Sequence, residues 1–213
     1  MQNEIVPRQE LIEYLNEEIL PEYDLNDKGH GQDHARYVIR RSIEFGKQAE
    51  CDIEMCITCA AYHDVMHHVD KDNHEALGAQ RLYEDKKLRE FFSEEQMLVM
   101  REAVEDHRSS LDGTPRSIYG RVLSTADRST DFRTVIKRSF YYNRRHRNDL
   151  TFYETMEEVR KHIEEKYGPN GKAKTYFYDP DFENMKKVFA ELLANDKKFT
   201  EAYLEYKMFR DGD

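Results

Sequence analysis

His63 and Asp64 stand side by side at the end of an apolar run over residues 53–61, and His67 and His68 follow them closely. Ile53, Cys56, Ile57, Ala60 and Ala61 recur at three- and four-residue spacing, the buried stripe of a helix. His63 lies seven residues after Cys56 and Asp64 seven after Ile57, so both emerge at the inner end of that stripe. An imidazole and a carboxylate buried together are costly unless something binds them, and a borderline or hard divalent cation suits both donors. His34, four residues before Val38, points inward from a second expected helix. His74, His107 and Asp127 each stand near the end of a further helix or apolar run. One buried histidine is an ordinary core residue, whereas five such positions converging predict a metal centre.

The elements that must hold these residues read as helices almost throughout. Leu11, Ile12, Leu15, Ile19 and Leu20 predict a helix over residues 8–20, stopped by Pro21. A polar turn at 26–31 leads to a helix starting near Asp33, with Ala35, Val38, Ile39 and Ile43 inward. Residues 69–73 form a loop, and His74 opens a helix in which Gly78 and Ala79 permit close packing. Ser93 with Gln96 forms a capping box for a helix ending at residues 106–110, and residues 118–126 lead to Asp127. Later helices are expected over 151–167 and 181–207, and residues 175–178 are the one strand candidate. The predicted class is all-α.

Order and local wording together resemble the HD-domain metal-dependent phosphohydrolase superfamily. The stretch from Gly29 and His30 through His34 to Val38 looks like its first-ligand motif, Ala-Ala-Tyr-His63-Asp64 like its central pair, and Ser124-Thr-Ala-Asp127-Arg like its last. The resemblance covers roughly residues 26–130 and implies a helical bundle in which His34, His63, Asp64 and Asp127 hold one divalent ion. His74 and His107 sit where members with two-metal centres supply further histidines, Asp64 then bridging the ions. Other members turn such histidines towards phosphate. The donor types suit Mn, Fe, Co, Ni or Zn better than Mg.

The implied reaction is hydrolysis of a phosphoester or phosphoanhydride, with a nucleotide as the small-molecule substrate. Asp64, Asp127 and His107 are its candidate catalytic groups, the last two to orient or deprotonate water. Lys71, Arg108 and Arg128, with His67 and His68 at the site mouth, are candidates to grip the substrate. Two rivals deserve statement. His63 and His67 echo the zinc peptidase pattern His-Glu-x-x-His, but Asp64 is shorter than the required Glu and that pattern leaves His34 and Asp127 unused. An inactive sensor or scaffold that binds a nucleotide or metal is the other.

The whole chain bounds these readings. Its 213 residues fit a single HD-type domain, core 26–130, with residues 131–213 as a helical C-terminal extension. A net charge of −10 argues against general nucleic-acid or anionic-membrane binding, although seven Lys or Arg against one acid lie between Arg128 and Arg147. That basic stretch, with Phe140, Tyr141 and Tyr142, reads as a helix whose aromatics pack inward while its arginines face water or pair with acidic helices. Cys51, Cys56 and Cys59, an odd number on one predicted helix and its approach, suggest a reducing cytosol, with Cys56 and Cys59 read as core residues. The N-terminal residues lack a leader's pattern, so a cytoplasmic protein is expected, with a homodimer an open possibility.

Overall fold

Helical periodicity is realised along nearly the whole chain in the computed structural model, which describes residues 6–27 and 29–208. Ten α-helices occur among the described residues, and no strand does. They are α1 (Gln9–Tyr14), α2 (Gln32–Gln48), α3 (Ile53–Tyr62), α4 (His74–Glu84), α5 (Glu94–Glu105), α6 (Ile118–Ala126), α7 (Phe132–His146), α8 (Phe152–Tyr167), α9 (Pro180–Leu193) and α10 (Asp196–Met208). No helix among the described residues is long and apolar enough to cross a membrane.

The chain divides into two compact units, residues 1–128 with 175–177, and residues 129–174 with 178–213. In the first, α3 lies at the centre: every residue from Met55 to Tyr62 is buried. Its start is fixed by Asp52, whose side chain accepts from the amides of Glu54 and Met55. Helix α4 can reach its far end because Gly78 has no side chain; a Cβ there would lie 2.7 Å from the Tyr62 carbonyl oxygen and 3.3 Å from that of His63. Ser93 and Gln96 form the expected capping box at the start of α5. Cys56 and Cys59 are buried in the core and Cys51 is half-buried.

A buried carboxylate ties the outer helices to α3. Asp85 accepts from the hydroxyls of Tyr14 and Tyr62, each at 2.6 Å, and from Arg81 Nη1 at 3.1 Å. Burial alone would raise its pKa, yet the two tyrosine hydrogen bonds hold it below the ordinary carboxylate range.

Three expectations need correction. Pro21 does not end the first helical segment: after α1 a π-helical turn, Leu15–Ile19, runs into a 3-10 segment, Leu20–Leu25, with Pro21 in its first turn. There the missing N–H has no partner to lose. The helix expected over 181–207 is broken into α9 and α10, because the Asn195 side chain accepts from the Lys198 amide and Arg160 takes the Leu193 carbonyl at 2.8 Å. The strand candidate at 175–178 is irregular: the Tyr176 amide donates to Thr125 Oγ1 at 3.0 Å, and Phe177 stacks on Phe45 in the first unit.

The second unit has a core of its own, centred on Ile136, Val159, Ile163, Phe182, Phe189, Phe199 and Tyr203. Residues read from sequence as an extension therefore bury a separate set of apolar side chains. Of the three aromatics Phe140, Tyr141 and Tyr142 on α7 only Phe140 packs inward; Tyr141 and Tyr142 are 52% and 65% exposed. Arg133 pairs with Glu205 at 3.6 Å on that unit's surface.

Candidate metal centre

The ends of five helices of the first unit deliver the candidate ligands to one place. His63 is the C-cap of α3, His74 the first residue of α4, His107 follows the C-cap of α5, and Asp127 is the C-cap of α6. His34 lies in the first turn of α2. His34, His63 and Asp127 form one triad of donor atoms, and Asp64, His74 and His107 a second.

The aim of three imidazoles is fixed in the same way. Nδ1 of His63 donates to the Ala60 carbonyl at 2.8 Å, Nδ1 of His74 to Lys71 at 2.9 Å and Nδ1 of His107 to Val104 at 2.6 Å. A carbonyl can only accept, so each Nδ1 carries a proton, and the neutral form of each ring turns an Nε2 lone pair inward. Those lone pairs meet Asp64: its Oδ2 is 3.3 Å from His63 Nε2, and its Oδ1 is 3.1 Å from His74 Nε2 and 3.5 Å from His107 Nε2. Acceptor faces acceptor in a buried site, which is unfavourable unless a cation lies between them. The donor set thus fits divalent ions bound through imidazole nitrogen and carboxylate oxygen.

Asp64 divides its two oxygens between the triads. Oδ2 faces His34, at 3.4 Å, and His63, while Oδ1 faces His74 and His107. Asp127 Oδ1 lies 3.2 Å from His34 Nε2. Burial would raise the pKa of Asp64, but the imidazoles around it, His63 foremost, hold it well below the usual range. Asp127 is likewise lowered against its burial, chiefly by His34. Burial pulls His34 down, yet Asp127 and Asp64 outweigh it and push its pKa up to about 9.

Six histidine rings close a circuit around this centre. Ring centroids run from His34 to His63 (5.2 Å), His107 (5.3 Å), His74 (5.4 Å), His67 (5.1 Å), His30 (3.9 Å) and back to His34 (5.8 Å). His67 is buried, its Nδ1 has no hydrogen-bond partner among the described residues, and burial beside His30 pulls its pKa down to about 4. Asp27, His30 and His67 make a third cluster of metal-ligand type. We do not read it as an ion site. Asp27 Oδ2 binds Lys71 at 2.7 Å and its Oδ1 holds His30 Nδ1 at 2.8 Å, while the His30 and His67 rings lie stacked at 21°, so their lone pairs do not converge.

The remaining sequence candidates are placed around the rim. Lys71 is engaged by Asp27, and Arg108 Nη1 donates to Glu75 Oε1 at 2.9 Å and to the Asp72 carbonyl at 2.7 Å. Arg128 Nη2 donates to Ser124 Oγ at 2.9 Å. His68 is exposed and its Nδ1 lies 3.2 Å from Asn26 Oδ1, outside the ring circuit.

Four supporting residues escape a reading by sequence. Tyr23 is fully buried; its hydroxyl donates to the Ala61 carbonyl at 3.1 Å and accepts from the Asp64 amide at 3.2 Å, pinning the central pair. Asn26 Nδ2 donates to the carbonyls of His30 and Asp64, joining the first-ligand loop to that pair. Buried Arg41 donates to the Ala126 and Thr125 carbonyls, capping α6 just before Asp127. Asp106 accepts from Arg116 through its amide and guanidinium, holding the turn that carries His107. An arginine on the inward face of α2 was the one available signal.

Residues 31–130 match the family model described as HD domain. That segment is an HD domain. Among solved structures, the chain is similar to the crystal structure of a predicted HD superfamily hydrolase from an uncultured Thermotogales bacterium, at 20% identity, TM-score 0.53 and 92% coverage of each chain. No curated protein matches the chain. The HD domain ends close to the boundary between the two units, at Arg128, so every candidate ligand lies in the first of them.

Proposed function

We propose that the chain is a metal-dependent phosphohydrolase, cleaving a phosphoester or phosphoanhydride of a nucleotide. The HD domain, the hydrolase named among its structural relatives and the two donor triads support a hydrolase that uses divalent metal ions. The observation that carries the reading is the division of Asp64, one oxygen towards each triad, which suits a carboxylate shared by two ions. His34, His63 and Asp127 would hold one ion and His74 and His107 the other.

Bound there, such ions would acidify a water and neutralise charge on phosphate oxygens. The chain's own groups supply orientation. Asp127 is the more open of the two carboxylates, 21% exposed against 6% for Asp64, so it can accept a hydrogen bond from the attacking water. Held below the ordinary range, it aligns that water and is a poor store for the proton. His67 is neutral, and its unpartnered Nδ1 offers a polar contact to a substrate oxygen. Lys71 can exchange its surface partner Asp27 for a phosphate.

The test pairs elemental analysis with turnover of a generic phosphodiester and of nucleoside mono- and triphosphates. Two ions per chain, and hydrolysis lost on chelation and regained with Mn, are expected. Chelator-resistant turnover, or a metal-loaded protein inert to every phosphate ester while still binding nucleotide, would overturn the enzymatic reading and favour the sensor.

A further inference from the structure

Glu75 directly follows His74 and Arg108 directly follows His107, and the two neighbours meet. Arg108 Nη1 donates to Glu75 Oε1 at 2.9 Å and to the Asp72 carbonyl at 2.7 Å. The other carboxylate oxygen, Oε2, is buried, lacks a hydrogen-bond partner among the described residues and lies 3.4 Å from His74 Nδ1. That same Nδ1 donates to the Lys71 carbonyl at 2.9 Å. The pair therefore joins the first turn of α4 to the turn after α5, the two places that present His74 and His107. A carboxylate oxygen buried without a donor is unfavourable by itself. Beside an imidazole N–H it strengthens the lone pair on the opposite nitrogen and fixes the ring's orientation.

We propose that Glu75 and Arg108 are positioning residues for the Asp64, His74 and His107 triad: Glu75 orients and polarises His74, and Arg108 holds Glu75 and the His107 turn in register. Arg108 on this view acts through the ligands and does not contact phosphate. The proposal rests on the two-ion reading above.

The experiment is calorimetric titration of chelator-stripped full-length protein with Mn alone, for wild type, His74→Ala, Glu75→Gln, Arg108→Ala and Arg108→Lys, each checked for folding by circular dichroism and melting temperature. Wild type should bind in two steps, and His74→Ala should abolish one of them. Glu75→Gln and Arg108→Ala should weaken that same step about 10- to 100-fold and leave the other within about twofold, the range typical of partners behind a metal ligand. Arg108→Lys should recover most of the loss. Wild-type affinity at both steps in folded Glu75→Gln and Arg108→Ala would overturn this proposal alone. Equal weakening of both steps with a lowered melting temperature would reduce the pair to a structural role and overturn it too. A wild type with a single step, unchanged in His74→Ala, would remove the two-ion reading and this proposal together.

Discussion

The two units of the molecule bury polar groups for different ends. Residues 1–128 with 175–177 carry 16 Lys or Arg against 27 Asp or Glu, a net −11, while the rest carries 17 against 16, a net +1. Seven of the nine histidines fall in the first unit. Twelve of the fifteen buried polar residues among those described lie there too, and several bond across long sequence distances, as Asp85 does to Tyr14 and Tyr62 and Arg41 to Ala126. In the second unit the buried polar groups serve local ends: Asp179 caps α9 and Thr155 bonds back to the Thr151 carbonyl one turn earlier. Polar burial in the first unit holds a site in place; in the second it starts and trims helices around an apolar core.

That contrast can be broken by substitution. Asp64→Ala should strip both ions and lower turnover by on the order of 1000-fold or more, with the circular dichroism of folded protein retained. Phe189→Ala, in the second core, should cost about 3–5 kcal/mol of that unit's stability and leave metal content per folded chain unchanged, as read by calorimetry beside elemental analysis. A loss of metal from the folded Phe189→Ala protein would abolish the division of labour. Tyr23→Phe leaves the Asp64 amide and the Ala61 carbonyl without their buried partner, so it should cost about 1–3 kcal/mol and loosen metal binding together with stability.

A pH series sharpens the same comparison with smaller steps. In metal-free protein the raised His34 pKa contributes stability that is complete below the unfolded value of about 6.5 and is lost as pH rises through about 9. Asp64 and Asp127 act in the opposite sense, contributing above about 4 and losing that contribution as pH falls. A cation must displace the His34 proton. Its affinity should therefore rise about tenfold per pH unit between roughly 6.5 and 9 and level off above, measured by titration at fixed ionic strength. A flat profile would place the proton elsewhere. Arg133→Ala, breaking an exposed pair of the second unit, should shift stability by no more than about 0.5 kcal/mol.

Much of the first unit was legible because its helices are amphipathic and its ligands sit at helix ends. The stripe from Ile53 to Ala61 placed His63 and Asp64, and small residues at Gly78 and Ala79 foretold the close approach of α4. What stayed hidden depends on contacts between segments remote in sequence. Nothing around Tyr23 announces a hydroxyl aimed at Asp64, 41 residues away. Arg41 stands on the inward face of α2 in sequence, but its partner carbonyls at the end of α6 are seen only in the fold. The break between α9 and α10 turns on a single Asn195 side chain, a local competition that periodicity does not register. Lys71 and Arg108 look like free cations in sequence because their partners Asp27 and Glu75 are brought to them only by folding.

The carbonyl groups of Ala60, Lys71 and Val104 set the aim of three imidazoles, and a carbonyl belongs to every residue type alike. Substitution at any of those three positions leaves the hydrogen-bond acceptor in place. The aim of those three rings is thus insulated from a change of side chain at these three positions. On the function proposed above, one such centre can serve different substrates as the pocket around it changes.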